Sequence, residues 1–115
     1  MEPTVYIPHL PTRQNPVNGD WVPTISLNPA AELGEIKVAN DHPSDATPDN
    51  FEDSLHRIVT MLQRITAKDF IIMTGDPVLC AGAIHAALGN VGVANVLRWN
   101  RDTRAYDLLK IEDHS

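Results

Sequence analysis

The chain has 115 residues, with 15 acids against nine Lys plus Arg, 43% hydrophobic residues, one cysteine and nine prolines. Its length suits one small domain able to bury roughly two-thirds of its unfolded surface unaided, which excludes a multidomain enzyme. A single cysteine excludes an internal disulfide framework and any multi-cysteine zinc or iron–sulfur site.

The longest apolar runs fall far short of the ~20 residues that cross a bilayer. Met1-Glu2-Pro3-Thr4 carries neither a signal n-region nor a lipidation motif, so the expected location is the cytoplasm, with no membrane partner. Charge and proline are concentrated in one half. Through Asp53 there are nine acids and two bases, a net of −7; from Ser54 onward six acids face seven bases, a net of +1. Eight of the nine prolines lie at or before Pro48. Proline removes a backbone donor and fixes φ, so the first half is not expected to be a run of interior strands or long helices. Acidity of this size repels polyphosphate at long range, so nucleic acid is not the expected partner. A protein is easier to accommodate.

Val5-Tyr6-Ile7 reads as a short strand cut off by Pro8, placed at a sheet edge or outside the sheet. Asn18-Gly19 is a turn signal before the alternating stretch Trp21 to Leu27, which Pro23 again demotes to an edge. Asn28-Pro29-Ala30-Ala31-Glu32-Leu33-Gly34 predicts one helical turn, with Asn28 at the N-cap, Pro29 first and Gly34 at the exit. Glu35 to Ala39 follows as a strand with Ile36 and Val38 on one face. Residues 1–33 thus form an extended, proline-rich arm that wraps the outside or reaches a second subunit, and residues 34–115 a single domain.

Asn40 to Pro48 has no hydrophobic period and predicts a solvated acidic loop. A helix follows it, capped by Thr47-Pro48 or Asp49. Glu52 and Asp53 lie in its first turn, and Phe51, Leu55, Ile58, Val59, Leu62 and Ile65 recur at helical spacing. Phe70-Ile71-Ile72-Met73-Thr74 is an uninterrupted apolar run that predicts a central strand buried on both faces. Asp76 then caps a second helix with Pro77 at its first position, carried from Val78 to Leu88 and stopped at Gly89-Asn90. Its small residues, among them Gly82 and Ala83, permit close packing. Val93 to Ile111 predicts two antiparallel strands joined by Arg101 to Arg104. That register sets Trp99 against Tyr106, Leu97 against Leu108, Arg98 against Asp107 and Val96 against Leu109, and it needs a left-handed Arg104. The whole is an α/β protein, a small βαβαββ sandwich with its last strand antiparallel at one edge.

Four places carry candidate chemistry. The strand-to-helix loop Thr74-Gly75-Asp76 is where an α/β protein presents amides to a ligand. It lacks further glycines, Pro77 has no amide hydrogen, and Asp76 already occupies the positive helix end. A structural cap is the plainer reading, and any ligand there would be a cation, an amine or a hydroxyl. Cys80 and His85 are five residues apart on one helix, roughly 140° around it, so they form no dyad. Cys80 reads as a small core residue. Asp41-His42-Pro43-Ser44-Asp45 gathers metal-ligand types at a spacing that matches no ligand loop, so neither metal nor cofactor is expected. The hairpin mixes Arg98, Arg101, Arg104 and Lys110 with Trp99 and Tyr106, an interaction surface for protein or, less simply, for nucleic acid. The tail from Glu112 to Ser115, including His114, is polar.

Taken together, Asn28 to Glu35, Asp69 to Val78 and Val96 to Arg101 ending near Tyr106 resemble a group of small α/β proteins encoded by tailed bacteriophages, particularly short-tailed marine ones. The resemblance covers about the last three-quarters of the chain and leaves out the arm before Asn28. It implies a viral protein in the cytoplasm of an infected bacterium, and it transfers no catalytic residues. The leading expectation is a non-enzymatic accessory protein that binds itself or a host factor. The alternatives are a small-ligand or nucleotide binder using Thr74 to Asp76, and nucleic-acid binding through Arg101 and Arg104.

Overall fold

The computed structural model describes residues 2–113, so His114 and Ser115 of the polar tail lie outside the described residues. Strands β1 (Thr4–Ile7), β4 (Glu35–Val38), β5 (Phe70–Ile72), β6 (Val93–Asn100) and β7 (Ala105–Glu112) form one sheet in the order β4-β1-β5-β6-β7. Its first four strands are parallel and β7 is antiparallel to β6. A separate two-stranded ribbon pairs β2 (Thr12–Gln14) with β3 (Trp21–Pro23).

Each face of the sheet is covered by different crossovers. The β1-to-β4 connection carries α1 (Asn28–Ala31) over one face, where Ala30, Ile25 and Leu27 pack on Val5, Ile7, Ile72 and Leu97. The next two crossovers carry α2 (Phe51–Met61) and α3 (Pro77–Val91) over the other face. There Ile58, Leu62, Leu79, Ala83 and Ala87 pack on Tyr6, Ile71, Ala94 and Val96. Successive strand residues thus enter opposite cores, which is why these strands read as apolar runs without alternation.

The largest correction concerns β1. It is an interior strand, paired in parallel with β4 on one side and β5 on the other, where an edge or external position was expected. Val5, Tyr6 and Ile7 are 0%, 3% and 0% exposed. Pro8 does not interfere because it falls one residue beyond the strand, past the last residue paired there. The segment after it folds back over the α1 face, with Leu10, Ile25 and Leu27 in the core there.

Smaller differences occur at the helix ends. Asn28 is the first residue of α1, with Leu27 at the cap position. α2 starts at Phe51 behind Asn50, one to three residues later than expected, because Thr47 and Asn50 are engaged with Ser44 in the preceding turn. α3 runs past Gly89-Asn90 to Val91 and ends at Gly92, whose φ of 73° supplies the left-handed exit. Gly89 has open space beside it, and nothing in its surroundings forces a stop. Gly82 allows α3 to lie close against α2: a Cβ there would meet the tip of the Leu55 side chain, which would have to move aside.

At the hairpin the observed register pairs Trp99 with Tyr106, Arg98 with Asp107, Leu97 with Leu108 and Val96 with Leu109, as expected. Arg104 takes a φ of 54°.

Candidate functional site

In doubly wound sheets ligands bind beyond the carboxyl ends of the strands, at the point where successive strands depart to opposite sides. Here that point lies between β1 and β5, and the chain fills it with its own His9. The Asp76 amide donates to His9 Nδ1 at 3.0 Å, and His9 Nε2 lies 3.2 Å from the His42 carbonyl. Nδ1 is therefore the acceptor and Nε2 carries the proton. One buried imidazole ties the end of β1 to the acidic loop and to the start of α3.

Gly75 is part of the same junction. Its φ is 78°, and a Cβ would come within 2.3 Å of the His9 carbonyl oxygen and 2.5 Å of His9 Nδ1. Asp76 completes it by accepting the amides of Val78 and Leu79, both at 3.0 Å. Of the three residues singled out as a ligand loop, Asp76 thus has its amide and carboxylate engaged within the chain. Thr74 contributes its carbonyl as acceptor for the Cys80 thiol at 3.1 Å. Cys80 is buried, and that burial pushes its thiol pKa up, with the Thr74 carbonyl contact working the other way and Asp76 adding to the rise. Such a thiol is a poor nucleophile. His85, on the same helix, is exposed.

The acidic loop is more ordered than its composition suggests. Pro43–Ala46 forms a 3-10 turn closed by a capping box in which His42 Nδ1 accepts the Ser44 amide and Asp45 Oδ2 accepts the His42 amide. Arg57 of α2 reaches back to Asn40 Oδ1 at 2.7 Å and Asp45 Oδ1 at 3.2 Å. Trp21 of β3 lies against the His42 ring, with centroids 4.6 Å apart. His42 and Asp45 are therefore spent on holding the loop. Among the described residues no group of three or more His, Cys, Asp or Glu side chains could hold a metal ion.

Beside the junction, on the α1 face, a cleft of about 290 Å³ opens between the arm and the sheet. Ile25, Met73, Trp99 and Tyr106 give it apolar walls, and Thr24, Ser26 and Thr74 give it hydroxyls. Trp99 and Tyr106 meet edge to face at 5.1 Å, and burial pushes the Tyr106 phenol pKa up. Thr74 thus joins the two aromatic residues, whereas Gly75 and Asp76 do not line the cleft. Sequence reasoning missed the contribution of Thr24, Ile25 and Ser26, because it read Trp21 to Leu27 only as an edge stretch.

The hairpin presents a different surface. Arg101 and Arg104 are exposed at its tip on either side of Asp102. Arg98 pairs with Asp107 at 3.9 Å across the strands. Along β7, Leu108, Leu109 and Ile111 are 59%, 39% and 40% exposed.

The strand order and the parallel crossovers on both faces define a small doubly wound α/β protein in which His9 bridges the ends of β1 and β5. Residues 3–112 match the model of the family described as Phage Pam3 gp32-like protein, and the chain belongs to that family. The match takes in the N-terminal arm, which the sequence resemblance had left out. No curated protein and no solved structure matches the chain. No helix among the described residues is long and apolar enough to cross a membrane.

Proposed function

We propose that this phage-family protein is a non-enzymatic accessory protein that binds another protein, itself or a host factor, in the cytoplasm of the infected cell. The observation that carries the reading is the row of exposed Leu108, Leu109 and Ile111 on an eight-residue edge strand. Trp99 adds exposed aromatic surface next to it, and aromatic and arginine residues are the side chains that dominate protein interfaces. The engagement of His9 with the Asp76 amide and of the Asp76 carboxylate with the first turn of α3 supports the same reading, since these groups serve the fold.

A photo-crosslinking amino acid placed at Trp99 or Leu108 during infection is expected to give a defined covalent adduct with one protein. The same group at Glu52, exposed on α2, serves as the control. No adduct from either hairpin position would remove this reading.

One observation favours a second reading, a small-ligand binder: the apolar cleft lined by Met73, Thr74, Trp99 and Tyr106. A thermal-shift screen with nucleosides and aromatic amines tests it. A saturable shift lost in Trp99→Ala but kept in Asp76→Ala would support the cleft, and no shift with any ligand would dismiss it.

A further inference from the structure

We propose that the outer edge of β7 is the docking site for β7 of a second copy of this chain, the strands running antiparallel about a two-fold axis at Leu108. The inference rests on the protein-binding reading and names its partner. It begins from a difference between the sheet's two edges. β4 has four residues, with Glu35 and Lys37 among them, the short, charged form that discourages pairing. β7 has eight residues without proline, and its exposed Leu108, Leu109 and Ile111 lie on both faces.

Hydrogen-bond direction is the second observation. The Asp113 amide donates to the Gly92 carbonyl at 3.0 Å, and the β6–β7 register continues unbroken from Val93↔Glu112 to Asn100↔Ala105. In an antiparallel ladder the inward-bonding residues alternate. The peptide groups of Asp107, Leu109 and Ile111 therefore face β6, while those of Tyr106, Leu108, Lys110 and Glu112 face outward. A two-fold axis perpendicular to the sheet makes the strands antiparallel and keeps both copies' helices on one side. It sets even-numbered residues opposite even-numbered ones, so the outward groups of the two copies bond to each other.

Charge then selects among the allowed registers. With the axis at Leu108, that side chain meets its own copy. Tyr106 lies across from the partner's Lys110, an arrangement suited to a cation over an aromatic face. Just before the start of β7, the turn residue Arg104 comes level with the partner's Glu112, which also pairs with Lys110 of its own strand at 3.1 Å, and on the other face Ile111 meets the partner's Ala105. Moving the axis to Asp107 sets two carboxylates against each other, and moving it to Lys110 sets two ammonium groups together. With the axis at Leu109, Glu112 faces the partner's Tyr106 and the opposition to Arg104 is lost. The register at Leu108 joins two five-stranded sheets into one.

Light scattering on the full chain is expected to give twice the 12.7 kDa chain mass. Leu108→Lys places two like charges on the axis and is expected to weaken the dimer at least about ten-fold while unfolding remains cooperative. Directly opposite Cα atoms lie ~5.5 Å apart, within disulfide reach, so Leu108→Cys is expected to form an intermolecular disulfide on mild oxidation. Thr103→Cys at the turn is expected to form none, and the native Cys80 is buried. A monomeric mass, a dimer that survives Leu108→Lys unchanged, or equal crosslinking from Thr103→Cys would each overturn the inference. A monomer whose hairpin still crosslinks to another protein during infection would overturn this inference alone. A monomer that crosslinks to nothing would remove the protein-binding reading as well.

Discussion

The junction at the carboxyl ends of β1 and β5 and the β6–β7 hairpin solve opposite problems with similar residue types. At the junction, His9, His42, Asp45 and Asp76 direct their polar atoms to backbone groups of their own chain. No buried side-chain nitrogen or oxygen among the described residues is left without a partner. Along the hairpin, apolar side chains remain in solvent and the outward peptide groups of β7 face no strand. The difference separates roles. Polar side chains at the junction hold the fold closed, and the capacity for contact lies where the fold has left apolar surface uncovered.

That division is broken most severely at Gly75. An alanine there would take a left-handed φ and drive its methyl group into the His9 carbonyl oxygen and ring. Overpacking and the conformational penalty together predict a loss of about 3 kcal/mol in denaturant unfolding. A loss below about 1 kcal/mol would mean that His9 does not fill the crevice as described. His9→Ala comes next. It leaves the Asp76 amide and the His42 carbonyl without their partner, at a cost of about 2 kcal/mol in unfolding free energy. Neither change should alter the oligomeric mass of the folded fraction, because both lie away from β7. Loss of the dimer in a folded His9→Ala protein would erase the distinction between the two regions.

Arg104→Gly acts on the hairpin side with a smaller effect and the opposite sign. Arg104 sits at a φ of 54°, a conformation that glycine adopts without the Cβ penalty, partly offset by the glycine's greater freedom when unfolded. A gain of about 0.5 kcal/mol is expected, read as a raised denaturation midpoint. A loss would show that the guanidinium contributes more to the turn than its backbone costs.

The parts of this fold that could be read from the sequence are those set by neighbouring residues. Asp76-Pro77 announces α3 because an Asx cap and a proline first turn need nothing beyond the next three residues. The hairpin register follows from side-chain pairing across a four-residue loop, and even the left-handed Arg104 could be inferred from that loop's geometry. What could not be read depends on residues far apart. His9 finds the Asp76 amide 67 positions away, and the buried Asp69 carboxylate accepts the Thr4 amide 65 positions away. β1 was misplaced for a related reason. Val5-Tyr6-Ile7 carries the same uninterrupted apolar signature as Phe70 to Thr74, but Pro8 outweighed it in a reading that could not see where the ladder ends. The cleft was hidden in turn, since its arm-side wall exists only once β1 is interior.

The two tyrosines sharpen the comparison from within the same chemistry. Tyr6 lies in the core under α2 and α3, and burial, then the Asp69 charge, raises its phenol pKa above 10.0. Tyr106 lies in the hairpin beside the cleft, and burial alone raises it above the same value. In both cases folding favours the neutral phenol. The associated stability is fully present below the unfolded pKa and is lost as pH rises through the folded one. Unfolding free energy should therefore decline above pH ~10, and Tyr6→Phe and Tyr106→Phe should each flatten that decline. Phenylalanine cannot ionise, so the comparison reads how strongly each site resists the phenolate, apart from packing losses common to all pH values. At the core site burial and the Asp69 and Glu35 charges oppose ionisation while the Thr4 hydrogen bond and the Arg64 charge favour it, whereas at the hairpin site burial acts alone. Each substitution should flatten the alkaline decline, as measured by urea unfolding at pH 9 and 11. A decline left unchanged by either substitution would mean that folding does not disfavour the phenolate at that position.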